Sequence, residues 1–562
     1  MTAQLDLNDI QGIIRNAYVE LYHLHGRYVF FKINDGVIGR KFISELVAAR
    51  LITTAAACKE REQELKKWKL DTPPLSVASN LAFTYAGLSA LELPDESMRS
   101  FPADFRMGMK ARRAILGDEG ASAPEHWDKI WQKDHNVHVL LSIDGVTEEV
   151  VEARYQEVMK KVTALNEEAK DTRAKENRPA QEDEPPAIEL LTGHRGAEGD
   201  DLPYQSAAVL RDAQGAPLPT EHFHYTDGIS VVSYEGQEKD PEEVIGAGKP
   251  TRESPTTTAG WQPLETGEFI LGHRDETQEY PAAPLPPLLA YNGTFMVYRK
   301  LHENVASFDS YIKEAGKQCP DEGGEEWIAA KFVGRWRNGA PLVTFPTKAD
   351  ADKFGEEWKT VNYTLFSDTG ASAEDKAKAL QTLKELKKQR VAFNYNADLS
   401  GARCPVGAHA RRVNPRGALE YGQTGAYDVP GALIDRRRIL RRGLPYGEST
   451  TERKDDGDHG IVFMALNVSI ERQFEFVQQQ WINYGNDFKL GNDKDPLLGN
   501  HELGADGKPK GRMIIDGDKA SGRIPHFCAN IPRFVETWGG EYFFIPSMTA
   551  LRMIGEGIID PT

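Results

Sequence analysis

Residues 28–51 read YVFFKINDGVIGRKFISELVAARL. The first six, Tyr28 to Ile33, are rich in aromatic and β-branched residues, a composition that favours a strand. From Val37 to Leu51 the apolar residues recur at helical spacing, so the pattern predicts a helix directly after the strand. A strand followed by a helix is typical of an α+β unit, and the same order returns further along the chain.

The first half of the chain continues this pattern. Residues 137–143 are mostly apolar and end at Asp144-Gly145, which predicts a second strand closed by a turn. Glu148 to Leu165 has the apolar spacing of a helix. Residues 166–188 are charged and interrupted by prolines, so we expect an insertion there that is mobile or lies in solvent.

The second half repeats the order of the first. Its patterns predict strands at 293–298, 461–466 and 541–546, and helices at 308–315, 373–390 and 470–481. The helix at 373–390 is rich in lysine, and we expect it to be an exposed insertion. The repetition predicts a pseudo-duplicated α+β fold, with one domain over 1–280 and a second over 288–562.

Composition and charge exclude several classes of protein. The chain has 562 residues, of which 40% are hydrophobic and 27% charged, as in ordinary globular proteins. A net charge of −17 argues against a general nucleic-acid binder. We see neither a secretory signal nor a run of roughly 18 apolar residues that could span a membrane. Four scattered cysteines fit free thiols, so we expect a cytoplasmic protein.

Residues 403–416, RCPVGAHARRVNPR, carry the strongest chemical signal. His409 lies among small residues and is followed by Arg411, Arg412 and Arg416. An imidazole can bind iron and guanidinium groups can bind anions, which together are what a haem pocket requires. Taken alone, the same residues also fit a solvated basic loop.

Two further motifs carry groups that a haem pocket would use. In residues 224–230, HYTDGIS, the turn at Asp227 is either an ordinary Asp-Gly turn or a fixed carboxylate that transfers protons in a cavity. In residues 439–447, ILRRGLPYG, Arg441 is either a surface residue or a fixed cation that points inward.

Together these motifs resemble the dye-decolorising peroxidases, which are haem enzymes. The resemblance covers nearly the whole chain, and its long insertions are similar to those of the larger members. The matching motifs, in family order, are NDIQG (8–12), DGIS (227–230), GRWRNGAP (334–341), GAH (407–409), ILRRGLPYG (439–447), ERQFEFVQQ (471–479) and GGEYFFIPS (539–547).

The resemblance implies a fold and a division into domains. The fold is α+β, with two ferredoxin-like domains that have antiparallel sheets, as in the dimeric α/β barrel superfamily. The first domain, 1–280, would contain the charged insertion at 166–188 and the distal aspartate motif at 224–228. The second domain, 288–562, would bind most of the haem.

The resemblance also implies roles for individual residues. His409 matches the proximal iron ligand, Asp227 the distal aspartate and Arg441 the distal arginine. Arg411, Arg412 and Arg416 are then candidate partners of the propionates of one haem b per chain. A hydrogen-bond acceptor on the second nitrogen of His409 would make it a stronger ligand, and Asp435 and Glu471 are the candidates for it.

His224 departs from the family pattern, because it stands where the Gly-x-x-Asp-Gly motif begins. An imidazole there adds bulk and a possible ligand to the cofactor site. Three roles are compatible with the sequence. The His224 side chain either turns away from the iron, or assists proton transfer, or binds the iron and blocks the access of peroxide. The sequence leaves these three interpretations open.

The sequence therefore predicts a haem peroxidase. It would reduce hydrogen peroxide and oxidise aromatic dyes and phenols in one-electron steps, as a monomer or homo-oligomer, without nucleic-acid or membrane partners. The alternative is a protein that binds haem or handles its iron with weak peroxidase turnover, which His224 favours. A hydrolase is disfavoured, since the chain has no Gly-x-Ser-x-Gly elbow, His-Glu-x-x-His motif or P-loop.

Overall fold

The computed structural model describes residues 5–66, 75–175, 184–319, 323–366, 370–419, 433–448 and 453–560. Within these ranges the chain forms sixteen strands, numbered in chain order. They are β1 (His25–Ile33), β2 (Val77–Phe83), β3 (Val139–Gly145), β4 (Ile188–Leu190), β5 (His194–Arg195), β6 (Asp201–Leu202), β7 (Gln205–Ala208), β8 (Lys249–Pro250), β9 (Trp261–Gln262), β10 (Thr294–Glu303), β11 (Leu440–Arg442), β12 (Pro445–Tyr446), β13 (Gly460–Asn467), β14 (Gly511–Ile515), β15 (His526–Ile531) and β16 (Val535–Ile545).

The α-helices of the described residues are numbered in the same way. They are α1 (Gly12–Arg15), α2 (Gly36–Ala48), α3 (Ala55–Lys66), α4 (Tyr85–Ala90), α5 (Asp95–Ser100), α6 (Ala103–Met107), α7 (Arg113–Leu116), α8 (Lys129–Gln132), α9 (Glu148–Lys175), α10 (Pro287–Ala290), α11 (Val305–Gly316), α12 (Gly324–Val333), α13 (Lys348–Phe366), α14 (Ala373–Val391), α15 (His409–Val413) and α16 (Met548–Glu556). Two wider, π-helical segments follow β13, at Glu471–Glu475 and Val477–Ile482.

Ten strands form one antiparallel sheet that joins the two halves of the chain. Eight of them follow the order β11-β13-β10-β16-β2-β3-β1-β4, while β12 also pairs with β13 and β7 with β1. The halves meet where Phe544 of β16 pairs with Phe83 of β2. The fold is α+β with two ferredoxin-like units, as the sequence predicts, because each half contributes antiparallel strands connected through helices.

Apolar packing also crosses between the halves. One core includes Phe30 and Phe42 from the first half and Leu551 and Ile554 from α16 at the end of the chain. Helix α16 lies close to α2, since a Cβ on Gly555 would come within 2.5 Å of Ser44 Oγ. The two predicted domains therefore share buried surface, and the boundary at residues 280–288 stays a prediction.

The strong hydrophobic patterns predict most of the central elements correctly. Strands β1, β3, β10, β13 and β16 and helices α2, α11 and α14 all occur where expected. Strand β2 is missed, because its sequence VASNLAF contains polar residues that are buried and hydrogen-bonded.

Two of the expected insertions are better ordered than the sequence predicts. Helix α9 continues through Lys175, ten residues past the predicted end, because Leu165 and Ala169 extend its buried stripe. This corrects the expectation that the insertion begins at residue 166; residues 176–183 lie outside the described part. Helix α14 buries Ala379, Leu383 and Leu386, so it packs on the protein and is not simply exposed.

In the described part of the chain, no helix combines the length and apolarity needed to cross a bilayer.

Candidate active site

Four of the candidate residues meet at one cavity of about 400 Å³: Asp227, His409, Arg416 and Arg441. His409 lines it from α15, and Asp227 lines it from the loop that precedes the second half of the sheet. Arg441 of β11 and Phe474 of the first π-helical segment complete this part of the wall. Residues 227, 409 and 441 are far apart in the chain, so the tertiary fold brings them together.

His409 is held by a carboxylate that the sequence does not point to. Its Nδ1 lies 3.0 Å from Oδ2 of Asp495, while Oδ1 of Asp495 accepts the N–H groups of Leu497 and Leu498, each at 2.9 Å. Burial alone would raise the pKa of Asp495, but His409, Arg412 and the Leu498 N–H together lower it. An ionised carboxylate can only accept hydrogen bonds, so Nδ1 of His409 carries the proton.

This arrangement leaves Nε2 of His409 as the ring nitrogen with a free lone pair. Nε2 makes no hydrogen bond within the described residues, and His409 lines the cavity. A neutral imidazole oriented by a carboxylate on its other nitrogen is the usual form of a histidine that binds a metal. The residues present therefore fit the iron of a haem.

The loop that carries Asp227 is fixed by the segment around the Arg-Asn-Gly turn. Thr226 donates from its N–H and its Oγ1 to the carbonyl of Arg337, both at 2.9 Å. In return, the Arg337 guanidinium donates to the carbonyl of Phe223. Gly339 has φ +86° and lies so close to the loop that a Cβ there would come within 2.8 Å of Ile229 Cδ1. The motif at 334–341 thus positions the aspartate turn.

Asp227 and Arg441 form an ion pair on the cavity wall. Nη1 of Arg441 donates to Oδ1 of Asp227 at 3.2 Å, and its Nη2 donates to the carbonyl of Ile229 at 3.3 Å. Both side chains are about half exposed, at 48% for Asp227 and 50% for Arg441. A carboxylate and a fixed cation are therefore side by side and accessible to a small molecule in the cavity.

Buried arginines line the cavity next to this pair. The Arg416 guanidinium donates to the carbonyls of Val391 and Gly246 and to Oγ of Ser230. Burial, and then the charge of Arg335, lower the pKa of Arg416 to about 9. Burial likewise lowers the pKa of Arg335 to about 10. Cations that repel each other in a buried site favour an anionic ligand, which the propionates of haem would supply.

The chain matches known proteins both in sequence and in structure. Residues 9–179 match the model of the DyP dimeric alpha+beta barrel domain. A dye-decolorizing peroxidase of Mycena epipterygia is 26% identical, over 98% of this chain and 87% of that protein. The structure of an ancestral D-type dye decolorizing peroxidase superposes with a TM-score of 0.66 at 26% identity, over 98% of this chain and 99% of the other.

Over nearly its whole length the chain is similar to dye-decolorising peroxidases. A further structure of this family, solved in complex with 2,6-dimethoxyphenol, has the same fold, with a TM-score of 0.66 at 23% identity over 98% of this chain and 100% of the other. The agreement in fold extends over both halves of the chain.

Two of the arginines that the family resemblance suggested for the propionates lie elsewhere. Arg411 is buried and donates to the carbonyls of Asp398 and Cys404. Arg412 is buried as well and donates to the carbonyls of Trp481 and Asp493. Neither of these two arginines is among the residues that line the cavity. Their hydrogen bonds instead hold α15 in place. Of the three, Arg416 alone stays a candidate for the propionates.

His224 also lies outside the cavity. It is exposed, and its Nε2 accepts from Nη1 of Arg453 at 2.6 Å, which in turn pairs with Asp309. Burial, and then the Arg453 charge, lower the pKa of His224. Its φ of +69° explains why glycine suits this position in the family. This geometry corrects the expectation of a cofactor contact and supports the interpretation that His224 turns away from the iron.

Sequence reasoning missed the acceptor of His409 as well. Asp495, not Asp435 or Glu471, occupies that place, and the Glu471 N–H instead donates to Asp104. No local signal marks Asp495, which lies 86 residues from His409 in an irregular segment. The Asp-Pro pair at 495–496 is typical of an ordinary turn and does not indicate a functional carboxylate.

Proposed function

We propose that the protein is a haem peroxidase that reduces hydrogen peroxide and oxidises phenols and aromatic dyes in one-electron steps. The observation that carries this proposal is that His409, held by Asp495, lines the same cavity as the Asp227–Arg441 pair. One pair is suited to hold iron, and the other is suited to handle peroxide.

His409 would bind the iron of one haem b per chain through Nε2. Asp495 keeps the imidazole in the required tautomer and makes it a stronger electron donor. Arg416 and Arg335 would lie against the propionates, since both are cations on the cavity wall. When bound, haem supplies the redox chemistry, and the protein controls access and the local charge.

Asp227 and Arg441 would act on the peroxide itself. The Asp227 carboxylate takes the proton from one peroxide oxygen and returns it to the other, directly or through a water molecule. The Arg441 guanidinium stays protonated and stabilises the negative charge that develops on the oxygens. Because a carboxylate handles the proton, we expect turnover to be fastest at acid pH. A rate that rises steadily into the alkaline range would contradict the role of Asp227.

The donor class follows from the family. A structural relative was solved in complex with 2,6-dimethoxyphenol, a phenol, and others are named for the oxidation of dyes. The alternative of a haem-handling protein with weak turnover depended on His224 as a second ligand. With His224 paired to Arg453, no contact of this residue favours that alternative. Location in the cytoplasm and a homo-oligomeric state stay predictions.

Absorbance spectroscopy tests the proposal directly. The ferric protein is mixed with one equivalent of hydrogen peroxide in a stopped-flow instrument, and 2,6-dimethoxyphenol is then added. We expect a rapid shift of the Soret band, followed by its return as the phenol is oxidised. An unchanged Soret band would show a haem-binding protein without peroxidase activity.

A further inference from the structure

Two buried glutamates line the same cavity and have no role in the chemistry described so far. Glu221 belongs to the loop that carries Asp227, and Glu303 is the last residue of β10. Glu221 is 8% exposed and Glu303 is 3% exposed. The two carboxyl groups lie close enough together that the charge of Glu221 opposes ionisation of Glu303. Two neighbouring carboxylates in a buried site repel each other, so one of the two groups holds a proton.

The hydrogen bonds around Glu221 identify it as the ionised member. Its Oε2 accepts the N–H of Phe223 at 2.6 Å, and its Oε1 accepts the N–H of Tyr225 at 2.8 Å. Two backbone donors stabilise the charged form of a carboxylate. They also fold the loop tightly two residues before Asp227, so Glu221 takes part in positioning that residue.

Glu303 is the member that holds the proton. Its Oε2 is buried and accepts from no N–H or O–H donor of the described residues. No lysine or arginine of the described residues forms an ion pair with either glutamate. The titratable groups that face Glu303 are Glu221, His222 and Asp227 of the loop, Tyr446 of β12 and His459 before β13. None of them supplies a positive charge that would keep Glu303 ionised.

We infer that Glu303 is a proton donor of the cavity, held protonated by Glu221, that supplies through Asp227 the protons taken up as the second peroxide oxygen becomes water. The inference rests on the proposed peroxidase function and goes beyond it. Reduction of one hydrogen peroxide to two waters consumes two electrons and two protons, and two phenols supply both as they become phenoxyl radicals. Glu303 gives its proton through cavity water to the Asp227 carboxylate, which passes it to the oxygen that becomes water and is a carboxylate again when the next peroxide binds. Glu303 regains a proton that a phenol has released. The balance needs no further reactant.

The titration of the pair agrees with this geometry. Burial raises the pKa of Glu221 to about 7, and the charge of Asp227 adds to the effect. Burial, and then the charge of Glu221, raise the pKa of Glu303 well above its ordinary value. Glu303 therefore retains its proton at neutral pH, where an isolated carboxyl group in water would already be ionised.

Glu303→Gln is the variant that tests the inference, because glutamine keeps the shape of the side chain but cannot titrate. Glu541→Gln is the matched control: burial raises the pKa of Glu541 to about 7 too, but this residue does not line the cavity with Asp227. Both variants are compared with the wild type over the whole pH range of turnover.

In the haem-loaded enzyme we expect Glu303→Gln to match the wild type at acid pH, where protons from bulk solvent replace the one that Glu303 supplies. Towards neutral pH its kcat should fall earlier, with the alkaline limb of the profile displaced by about one pH unit, or about tenfold in rate at a fixed pH on that limb. The KM for peroxide should change little. Superimposable profiles for Glu303→Gln and the wild type would overturn the inference.

The haem-free protein provides a readout that does not depend on turnover. Infrared difference spectra at neutral pH, wild type minus Glu303→Gln, should contain the carbonyl stretch of a protonated carboxylic acid. Absence of that band would overturn the inference even if the enzyme is active. Conversely, a protein that shows the band but fails to react with peroxide would refute the proposed function, since the two readouts are separate.

Thermal unfolding of Glu303→Gln and of the wild type shows whether a change in turnover comes from the lost proton donor or from a poorly folded variant. The folded pKa of Glu303 lies above its unfolded value, so its contribution to the free energy of unfolding is present at acid pH and is lost as pH rises. Glu303→Gln should therefore melt close to the wild type at acid pH and above it at alkaline pH. If the variant folds poorly, Glu221→Gln replaces it, because loss of the Glu221 charge lets Glu303 ionise earlier and should displace the alkaline limb in the same direction.

Discussion

On the His409 side of the cavity, the Asp495 carboxylate has 0% exposure and accepts three hydrogen bonds. On the Asp227 side, the ion pair with Arg441 is about half exposed and its two atoms are 3.2 Å apart. The first arrangement is rigid and dry, which suits a permanent ligand. The second is open to solvent, which suits residues that must meet a new peroxide molecule in every turnover.

The difference also shows how the two sides are built. The His409 side depends on buried arginines that donate to backbone carbonyls, such as Arg412 with Trp481 and Asp493. The Asp227 side depends on a short loop held by Arg337 and Glu221. Substitutions on the first side should therefore change haem binding, and substitutions on the second should change the reaction with peroxide.

The largest effect is expected from His409→Ala, which removes the iron ligand. The variant should lose its haem on gel filtration, and its turnover should fall to the background level, because no other imidazole of the described residues lines the cavity. The ratio of Soret absorbance to protein absorbance measures the loss. A variant that keeps a full complement of haem and full turnover would refute the assignment of the ligand.

Asp227→Asn should leave the haem content unchanged and slow the reaction with peroxide by about 10²- to 10⁴-fold, the usual contribution of a positioned acid–base group. Asparagine retains a contact with Arg441 but cannot take up a proton. Stopped-flow measurement of the Soret shift gives the rate. A change of less than threefold would mean that another group, such as Glu303, handles the proton alone.

Asp495→Asn tests the His409 side of the cavity without removing the iron ligand itself. The amide no longer attracts the proton on Nδ1 of His409, so haem affinity or turnover should fall by about 10- to 100-fold. Transfer of haem from the variant to an excess of apomyoglobin measures the affinity. Asp493→Asn is a suitable control, because Asp493 is in the same segment but pairs with Arg512 outside the cavity. Equal haem loss in both variants would indicate a general loosening of the segment.

The smallest effect is expected from His224→Gly. This change restores the glycine typical of the family and relieves a positive φ, while the side chain it removes points to Arg453 and away from the cavity. Turnover and the ferric spectrum should stay within about twofold of the wild type, as for most surface substitutions. A change in the spin state of the iron would show that His224 reaches the haem after all.

The local elements of this fold could be predicted because their apolar patterns are regular. Residues 28–33 and 541–545 have the composition of strands, and both lie in the central sheet. Strand β2 lacks that signal, since Asn80 is accommodated in the core by Tyr18, whose hydroxyl accepts from Nδ2 at 2.7 Å. A sequence pattern cannot show that a buried polar group has found its partner.

The candidate site was predictable in part for a similar reason. His409, Asp227 and Arg441 stand in short motifs whose order along the chain matches a family, and the structure places all three on one cavity. Arg411 and Arg412 belong to the same motif, but only the direction of each side chain decides whether an arginine faces a ligand or a backbone carbonyl. Their neighbours in the sequence do not determine that direction.

The sequence by itself determined the α+β class, the resemblance to dye-decolorising peroxidases and the choice of three residues that line the cavity, because these depend on local composition and on the order of motifs. The tertiary structure alone decided that Asp495 holds His409, that His224 turns outwards and that Glu303 meets Glu221. Each of these depends on contacts between residues 82 to 229 positions apart. Such contacts form only when the whole chain is packed, since no local preference encodes them.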